Sequence, residues 1–475
     1  MSQEILEAKM SLVCEKALRK AIPSIEERRE TIWFSQNLAK KLESELKEAD
    51  LEAKVQVEGS IAKDTWLAGE KDIDLFVLVA KAYGRDAFAK VLEVAKRVAG
   101  EDWLEAYAEH PYIEAKMNGF TVDFVPCFEL ERGEGVVSSV DRTPFHTLYV
   151  KKHLTPEAKN EVRLLKRFMR GIGTYGAEIK VGGFSGYLCE ILTLYYGRFP
   201  RLLQAASDWR EREIVDLKGY YLGREDEALK IFQEPLIVVD PVDKGRNVAS
   251  AVRTDRLNEF IAASRSFLKK PSLSFFYPRG TRTLSVAEFI RLMDSRSSAF
   301  VFLKTDTIRA VSDVLWGQLY RSQRALETVF RQHGFSLVRS GVWSDEGTVN
   351  VFVFELHSRF LPLVERHLGP PVWKKKDCER FLAKHRKSSR VLSGPRIEGY
   401  RWVVERRRKY TDVADLLREK LKNGEGVGVA SLVSQAFASS LEVLVNHEAR
   451  EFYSRNPSFA KFLTEHLKGR PSWVK

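Results

Sequence analysis

The sequence predicts a multidomain α+β protein. At 475 residues the chain exceeds what one ordinary hydrophobic core accommodates, so two to four domains are expected. Strand-like alternation is mixed with helical periodicity over about the first 145 residues, whereas residues 155–217 show helical periodicity. We therefore expect an α/β or α+β unit on a small sheet, then a helical region, then one or two further α+β modules.

The N-terminal region divides into elements in a definite order. Helical periodicity covers residues 1–50, and a second helix is expected to start near Ser24, because Glu26 and Glu27 would then lie in its first turn. The other predicted elements are a strand at 55–57, a loop at 59–60, a short helix, a strand at 73–79, a helix at 85–99, and strands at 112–116 and 120–125.

Helices dominate the centre of the chain, and short strands return after Pro271. Within 155–217, Val162, Leu165 and Met169 recur at the spacing of one helical face. A polar break at 240–247 follows the apolar run 235–239, and the next helix is expected to end near residue 268. The C-terminal part predicts strands at 299–303 and 349–354, amphipathic helices at 314–332 and 360–368, and basic clusters at 374–376, 384–390 and 406–409.

Composition narrows the classes of partner and compartment. A net charge of +12 with a pI near 9.3 favours a polyanionic partner, although a solvated basic surface explains the charge about equally well. The four cysteines, Cys14, Cys127, Cys189 and Cys378, show no metal-binding spacing and are expected to be reduced and mostly buried. Since no apolar run approaches membrane-spanning length, a cytoplasmic protein is predicted.

Three aspartates on two predicted strands form the clearest chemical signal. Side chains at i and i+2 of a strand share a face, so Asp72 and Asp74 can bind one cation while Ile73 turns into the core. Asp123 alternates in the same way and could join them from a neighbouring strand. Three carboxylates that close cannot all ionise without a counter-cation, and oxygen ligands suit magnesium. The alternative is that these acids pair with surface lysines.

A glycine-serine pair stands about a dozen residues ahead of these acids. Gly59 and Ser60 would present backbone N–H groups and a hydroxyl to phosphates at the start of a helix. A phosphate-binding loop followed by clustered acids is the layout of a two-metal nucleotidyl-transfer site.

This order of motifs resembles the DNA polymerase β nucleotidyltransferase superfamily, and the flanking residues resemble its archaeal, class I CCA-adding tRNA nucleotidyltransferases. The likeness is dense from about residue 55 to 255. It rests on the blocks Gly59-Ser-Ile-Ala-Lys-Asp-Thr-Trp-Leu67, Val122-Asp-Phe-Val-Pro-Cys127, Asp141-Arg-Thr-Pro-Phe-His146, Asn160-Glu-Val-Arg-Leu-Leu-Lys166, Tyr175-Gly-Ala-Glu178, Gly183-Phe-Ser-Gly-Tyr-Leu-Cys-Glu190 and Asp240-Pro-Val-Asp243 with Arg246-Asn247.

The resemblance implies four regions and one activity. The regions are a catalytic nucleotidyltransferase head with a small mixed sheet at 1–150, a helical neck at 151–258, a body at 259–304 and 376–475, and a tail inserted in the body at 305–375. The activity is stepwise addition of C, C and A to the tRNA 3' end from CTP and ATP, without a nucleic-acid template and with two Mg²⁺ ions. The acceptor stem and 3' end of tRNA are the expected contacts; contact of the tail with the elbow and formation of a homodimer are left open.

The resemblance also assigns roles to single residues. Asp72, Asp74 and Asp123 would hold the metals, and Gly59, Ser60, Lys63, Lys166 and Tyr175 would surround the triphosphate. Thr143 and His146 could orient the ribose or the primer end, and His110 is expected to be structural. Two residues depart from the pattern: the family often has Glu at the position of Asp72 and Arg at the position of Lys63. Asp72 still provides a negatively charged metal ligand, and Lys63 still provides a positive charge for a phosphate.

Arg246 is predicted to read the base. A guanidinium only donates hydrogen bonds; C and A offer ring acceptors where U and G present N–H groups. One fixed arginine could therefore accept C and A and reject U and G. The alternative is a salt bridge from Arg246 to Asp240 or Asp243 in the polar break.

Two other functions remain open from the sequence. A poly(A) polymerase or oligoadenylate synthetase would share the head but accept only ATP. A non-catalytic RNA-binding protein could keep a relic head, although a relic has no reason to retain three clustered acids.

Overall fold

The computed structural model describes residues 3–107, 111–130, 140–421 and 427–474, so His110 lies outside the described residues. The chain forms two compact units. The first comprises Met1–Gly280 together with Pro471–Lys475, and the second comprises Thr281–Arg470.

The first unit contains ten α-helices and seven strands within its described residues. The helices are α1 Gln3–Ala21, α2 Ile25–Glu48, α3 Gly59–Lys63, α4 Asp86–Ala99, α5 Thr143–His153, α6 Pro156–Ile172, α7 Gly186–Tyr196, α8 Phe199–Asp208, α9 Glu225–Ile231 and α10 Thr254–Lys269. The strands are β1 Ala53–Val57, β2 Asp72–Val79, β3 Trp103–Tyr107, β4 Pro111–Met117, β5 Phe120–Phe128, β6 Glu213–Asp216 and β7 Leu236–Val239.

The N-terminal part of this unit is built on a five-stranded sheet of order β1-β2-β5-β4-β3. Strands β2 and β5 run parallel and the other neighbours run antiparallel, so the sheet is mixed, as predicted. Helices α2 and α4 cover one face through residues such as Leu42 and Val91, which pack with Leu75 and Phe124 of the central strands. Helix α2 begins at a capping box formed by Ser24 and Glu27, which confirms the predicted start.

The central part of the unit is a helical layer with an aromatic core. Helices α6, α7, α8 and α10 bury a common cluster in which Phe168 contacts the rings of Phe199 and Phe260. The C-terminal segment joins this core: Trp473 stacks on Phe275 at 5.9 Å, and its indole N–H donates to Glu259 at 2.6 Å. The core of the first unit therefore includes side chains that precede the second unit in the sequence and a side chain that follows it.

The described residues of the second unit form two sheets. Its helices are α11 Val286–Arg296, α12 Ser312–Gln332, α13 Lys375–His385, α14 Val413–Leu421, α15 Ser431–Ser440, α16 Arg450–Arg455 and α17 Pro457–Lys468. Its strands are β8 Ala299–Asp306, β9 Leu337–Ser344, β10 Val349–Leu356, β11 Val364–Pro371, β12 Val391–Glu398, β13 Arg401–Arg407 and β14 Glu442–Val445. The sheets have the orders β14-β8-β10-β9 and β11-β13-β12.

One predicted helix is wrong. Residues 360–368 were expected to form an amphipathic helix, but Val364–Pro371 is a strand that pairs with β13. The apolar residues that produced the helical spacing, Val364 and Leu368, are both exposed in the structure. Gly369, Pro370 and Pro371 also disfavour a continuing helix.

The predicted boundaries of the tail fall inside regular elements. The boundary after residue 304 lies within β8, and the boundary after residue 375 lies within α13. The division into head, neck, body and tail stays a prediction. All four cysteines are free and buried, as expected. No helix in the described part of the chain combines the length and apolarity needed to cross a membrane.

Candidate active site

The three predicted metal ligands lie on one face of the mixed sheet. Asp74 of β2 is the register partner of Asp123 of β5, and Asp72 lies two residues before Asp74 on the same strand. The alternate residues of β2, Ile73 and Leu75, are buried in the core on the other face. Among the described residues, no three His, Cys, Asp or Glu side chains form a closed metal-ligand cluster, so the acids share a face without being drawn around one point.

The electrostatics of this face favour a cation. Burial, followed by the charges of Asp74, Glu114 and Asp72, raises the pKa of Asp123 to about 8. Burial is also the largest cause that raises the pKa of Asp72 and of Asp74. One carboxylate oxygen of Asp123, Oδ1, is buried and accepts no hydrogen bond from any described residue. These acids therefore fit Mg²⁺, which would supply the missing partner and offset their mutual repulsion.

Gly59 brings the backbone against these acids. A Cβ at this position would lie 1.8 Å from Oδ2 of Asp74, and the residue has a φ of +65°. Both conditions require glycine. Helix α3 then starts at Gly59 and carries Ser60 and Lys63 along the same side, so the glycine-serine loop and the metal face adjoin each other.

A cavity of about 400 Å³ collects most of the predicted site. The predicted residues that line it are Gly59, Ser60, Lys63, Asp74, Thr143, His146, Lys166, Tyr175 and Arg246. Asp72 and Asp123 are not among the lining residues and are connected to the cavity through Asp74. The cavity is also lined by residues to which the sequence reasoning gave no role, among them Ser185, Gly186, Tyr187 and Glu190.

Glu190 holds the two predicted triphosphate lysines. Its carboxylate is fully buried, accepts from Nζ of Lys63 at 2.6 Å and from the hydroxyl of Thr65 at 2.6 Å, and lies 3.8 Å from Nζ of Lys166. Lys166 also donates to the backbone oxygen of Thr65 at 3.1 Å. Burial lowers the pKa of Lys166, while Glu190 raises it. The two lysines thus share one buried carboxylate. With both protonated, the group of Glu190, Lys63 and Lys166 carries one surplus positive charge at the cavity wall, which also acts on the carboxylate of Asp74.

The N-terminus of α7 faces the same cavity. Ser185 caps the helix by accepting from the N–H of Leu188 at 3.1 Å, and Gly186 and Tyr187 form its first turn. A Cβ on Gly186 would lie 3.3 Å from both Nζ of Lys166 and the hydroxyl of Tyr175. Burial raises the pKa of Tyr175 well above its usual value, so this hydroxyl stays a neutral donor. The sequence motif Gly183–Glu190 contains this helix start, but no role was predicted for it.

A second buried carboxylate, Asp240, organises the opposite side of the cavity. Its Oδ2 accepts from Arg246 at 2.7 Å and lies 2.9 Å from Nε2 of His146, and its Oδ1 accepts from the hydroxyl of Tyr187 at 3.1 Å. The salt bridge proposed as the alternative role of Arg246 is therefore present with Asp240. Asp243 pairs instead with Arg142, at 3.0 Å. Arg246 still lines the cavity, with about 33% of its side chain exposed.

Comparisons with known proteins match successive parts of the chain to domains of nucleotidyltransferases and CCA-adding enzymes. The nucleotidyltransferase domain family matches residues 39–146, the second domain of tRNA nucleotidyltransferases matches 160–277, and the C-terminal domain of CCA-adding enzymes matches 296–446. The CCA-adding enzyme of Methanosarcina acetivorans is 38% identical over 413 residues, covering 86% of this chain and 87% of that protein. The chain belongs to the archaeal CCA-adding enzyme family. The CCA-adding enzyme of Methanothermobacter thermautotrophicus is similar, at 36% identity over 418 residues and with 86% and 89% covered.

Membership of the CCA-adding family confirms the enzyme class and the fold class predicted from the sequence. The protein is an α+β nucleotidyltransferase that adds nucleotides to the 3' end of tRNA. The two alternatives, an ATP-specific polymerase and a non-catalytic RNA-binding protein, are thereby set aside. A solved structure of the Cid1 poly(U) polymerase with Mg and 3'-dATP has a TM-score of 0.45 at 17% identity, covering 57% of this chain and 96% of that one.

Proposed function

We propose that the protein adds C, C and A stepwise to the tRNA 3' end from CTP and ATP, without a nucleic-acid template, at a two-metal site. The observation that carries the proposal is the make-up of the 400 Å³ cavity. It joins an acidic face at Asp74 to a buried surplus of positive charge at Lys63 and Lys166. A nucleoside triphosphate with bound cations matches this arrangement: the cations fit the acidic face, and the negatively charged phosphates fit the lysines.

Lys63, Lys166, Ser60 and Tyr175 bind the triphosphate in this proposal. The surplus positive charge beside Glu190 attracts the phosphates, and the lysines donate charge-assisted hydrogen bonds to them. Tyr175, which stays protonated, adds a directional O–H donor. The N-terminus of α7 at Gly186 adds backbone N–H groups and the positive end of a helix dipole.

Asp72, Asp74 and Asp123 hold the metals. Mg²⁺ bound there supplies a Lewis acid that activates the 3'-hydroxyl of the tRNA and neutralises the leaving pyrophosphate. Gly59 keeps the backbone close enough for Asp74 to lie beside the phosphate-binding helix. Glu58, buried just before Gly59, adds a further acid to this region; burial raises its pKa to about 7.

Arg246, Thr143 and His146 orient the base and sugar. Arg246 donates to the ring acceptor of C or A, as proposed from its chemistry. Burial lowers the pKa of His146, so its ring is neutral at pH 7. Because the carboxylate of Asp240 only accepts, Nε2 of His146 carries the hydrogen and Nδ1 stays an acceptor for a ribose or primer hydroxyl.

The second unit binds tRNA through a basic and aromatic surface. Trp373 and Tyr400 are stacked at 5.4 Å and are 65% and 58% exposed. Beside them lies a cavity of about 470 Å³ lined by basic residues, including Lys374, Arg380, Lys384 and Arg401. Exposed aromatic rings stack on unpaired bases and cations contact phosphates, so this combination favours RNA over a small metabolite.

The test of the proposal is direct product analysis. Purified protein is incubated with Mg²⁺, CTP and ATP and a tRNA that ends before its CCA sequence, and the product ends are sequenced. We expect ordered CCA ends, and no addition by Asp74→Ala, which retains the tRNA-binding surface. Random or purely adenylate extension, or more than a few per cent of activity in Asp74→Ala, would show that the proposal is wrong.

A further inference from the structure

Asp240 contacts side chains from three separate parts of the first unit. His146 lies on α5, Tyr187 lies on α7, and Arg246 ends the turn that Asp240 begins. All three partners line the 400 Å³ cavity, whereas the Asp240 side chain is completely buried behind them. Asp240 is therefore placed to control the cavity wall without reaching the cavity itself.

The two oxygens of Asp240 have different partners. Oδ2 accepts from Arg246 and His146, and Oδ1 accepts from Tyr187 and from the backbone N–H of Val242 at 3.0 Å. Burial opposes ionisation of Asp240, but the hydrogen bonds from His146, Val242 and Arg246 outweigh it and hold its pKa at about 2. The carboxylate is ionised at neutral pH and acts only as an acceptor.

The backbone of the turn is fixed by other contacts. The N–H of Asp240 donates to the carbonyl of Arg246 at 3.0 Å, and the N–H of Arg246 donates to the carbonyl of Asp243 at 3.0 Å. The hydroxyls of Tyr220 and Tyr221 donate to the carbonyls of Pro241 and Lys244, each at 2.9 Å. The path of the turn thus has support that does not involve the Asp240 side chain. What that side chain adds is the orientation of the guanidinium at the end of the long, flexible arginine stem.

We propose that Asp240 is a positioning residue for nucleotide selectivity: it fixes the guanidinium of Arg246 relative to His146 and Tyr187, so that the donors of Arg246 meet the base at one place. This inference rests on the proposed base-reading role of Arg246. It adds a residue that never contacts the nucleotide but determines which nucleotides are accepted. A free arginine could follow the base and donate to the carbonyl oxygens of U or G; a fixed one cannot.

The substitution Asp240→Asn separates the four contacts. The N–H of Val242 can only donate, so the amide oxygen stays on its side and also keeps the contact with Tyr187. The amide NH₂ then replaces Oδ2. The neutral His146 can move its hydrogen to Nδ1 and accept from this group, but Arg246 has no acceptor to offer. Of the four groups, Arg246 alone loses its partner on residue 240. The tautomer change also turns Nδ1 of His146 from an acceptor into a donor, which should alter the rates with CTP and UTP alike, so the ratio of the two rates is the readout.

The experiment measures single-turnover addition of CTP and UTP to tRNA lacking CCA by the full chain. A good bidentate base contact discriminates by roughly 5- to 150-fold, and we expect both Asp240→Asn and Arg246→Ala to lose most of this preference. In the Arg246→Ala background, Asp240→Asn should cause no further loss. Asp243→Asn is the matched control: it makes the same change in the same turn but removes the contact with Arg142, and its preference should be retained.

Asp240→Glu is a second variant that tests the proposal if Asp240→Asn does not fold. It keeps the buried negative charge but moves the carboxylate by one methylene group, so the CTP preference should fall while the charge pairing is kept. If Arg246→Ala loses the preference and both Asp240 variants keep it, the positioning role of Asp240 is wrong and the proposed function stands. If Arg246→Ala itself keeps the preference, the base-reading role is wrong, and the inference about Asp240 falls with it.

Discussion

Replacing Glu190 with glutamine should destabilise the first unit and increase its response to nucleotides. Glutamine keeps the shape of the side chain and an oxygen that can accept from Thr65. It removes the only negative charge among Glu190, Lys63 and Lys166, whose Nζ atoms lie 2.6 and 3.8 Å from the carboxylate. Two ammonium groups then remain buried at the cavity wall with no carboxylate between them.

The magnitude follows from the burial of the partners. Glu190 and Lys166 are fully buried and Lys63 is nearly so. Removing one partner of a buried pair costs about 3–5 kcal/mol, because a charge is left uncompensated. Since one hydrogen bond to Thr65 survives, we expect a loss of about 3 kcal/mol in the free energy of unfolding. The triphosphate of ATP would replace the lost charge, so ATP should stabilise Glu190→Gln more than the parent protein.

The assay is urea unfolding followed by tryptophan fluorescence, with and without ATP. The transition that shifts when ATP is added reports on the first unit. Glu15→Gln is the matched control, because its exposed pair with Arg19 contributes at most about 1 kcal/mol. Adding Lys63→Met to Glu190→Gln should recover stability, since the uncompensated charge is removed. A loss no larger than that of Glu15→Gln, or an unchanged response to ATP, would refute the charge-sharing account.

Three further predictions concern the metal face and the RNA surface. Gly59→Ala should reduce the rate of addition by roughly 100-fold while circular dichroism stays unchanged, because its Cβ would displace the carboxylate of Asp74; a near-normal rate would contradict the close approach. With its pKa raised to about 8 from an ordinary 3.8, Asp123 stays protonated in the fold where the unfolded chain ionises, so the stability of the metal-free protein should fall between about pH 4 and pH 8. Thermal unfolding should show a shallower fall for Asp123→Asn, and the stabilisation by Mg²⁺ should be larger at pH 8 than at pH 6. Trp373→Ala and Tyr400→Ala should each weaken tRNA binding by roughly 5- to 150-fold without changing its salt dependence, because stacking and not phosphate contact is lost; a smaller salt slope would point to charge instead.

Local patterns were enough to predict one half of the site. The two-residue period of a strand places Asp72 and Asp74 on one face, and the same period in β5 places Asp123 on the face that adjoins them. The start of α2 at Ser24 and the helical face containing Leu165 and Met169 follow from equally local rules. These features depend on residues that are neighbours in sequence.

The other half depends on distant packing. Glu190 reaches Lys63 across 127 positions, and no local pattern marks a glutamate on an apolar helix as the partner of two lysines. Arg246 had two candidate acids in its own turn. The fold pairs it with Asp240, whereas Asp243 pairs with Arg142, which is distant in sequence. The prediction of a helix at 360–368 failed because a local pattern was misleading. The apolar residues spaced as on a helical face, Val364 and Leu368, are exposed to solvent in the structure and do not form a buried face.

The position of Trp473 in the first unit bears on the order of events during synthesis. The chain leaves that unit at Gly280 and returns at Pro471, so residues 281–470 are made before Trp473 can reach Phe275 and Glu259. At about 5–20 residues per second, the ribosome takes roughly 10 to 40 s to produce that interval. During this time the nascent first unit exposes the apolar site beside Phe275 that Trp473 will fill. A chain released early would keep the residues of the nucleotide site but leave that part of its core uncovered.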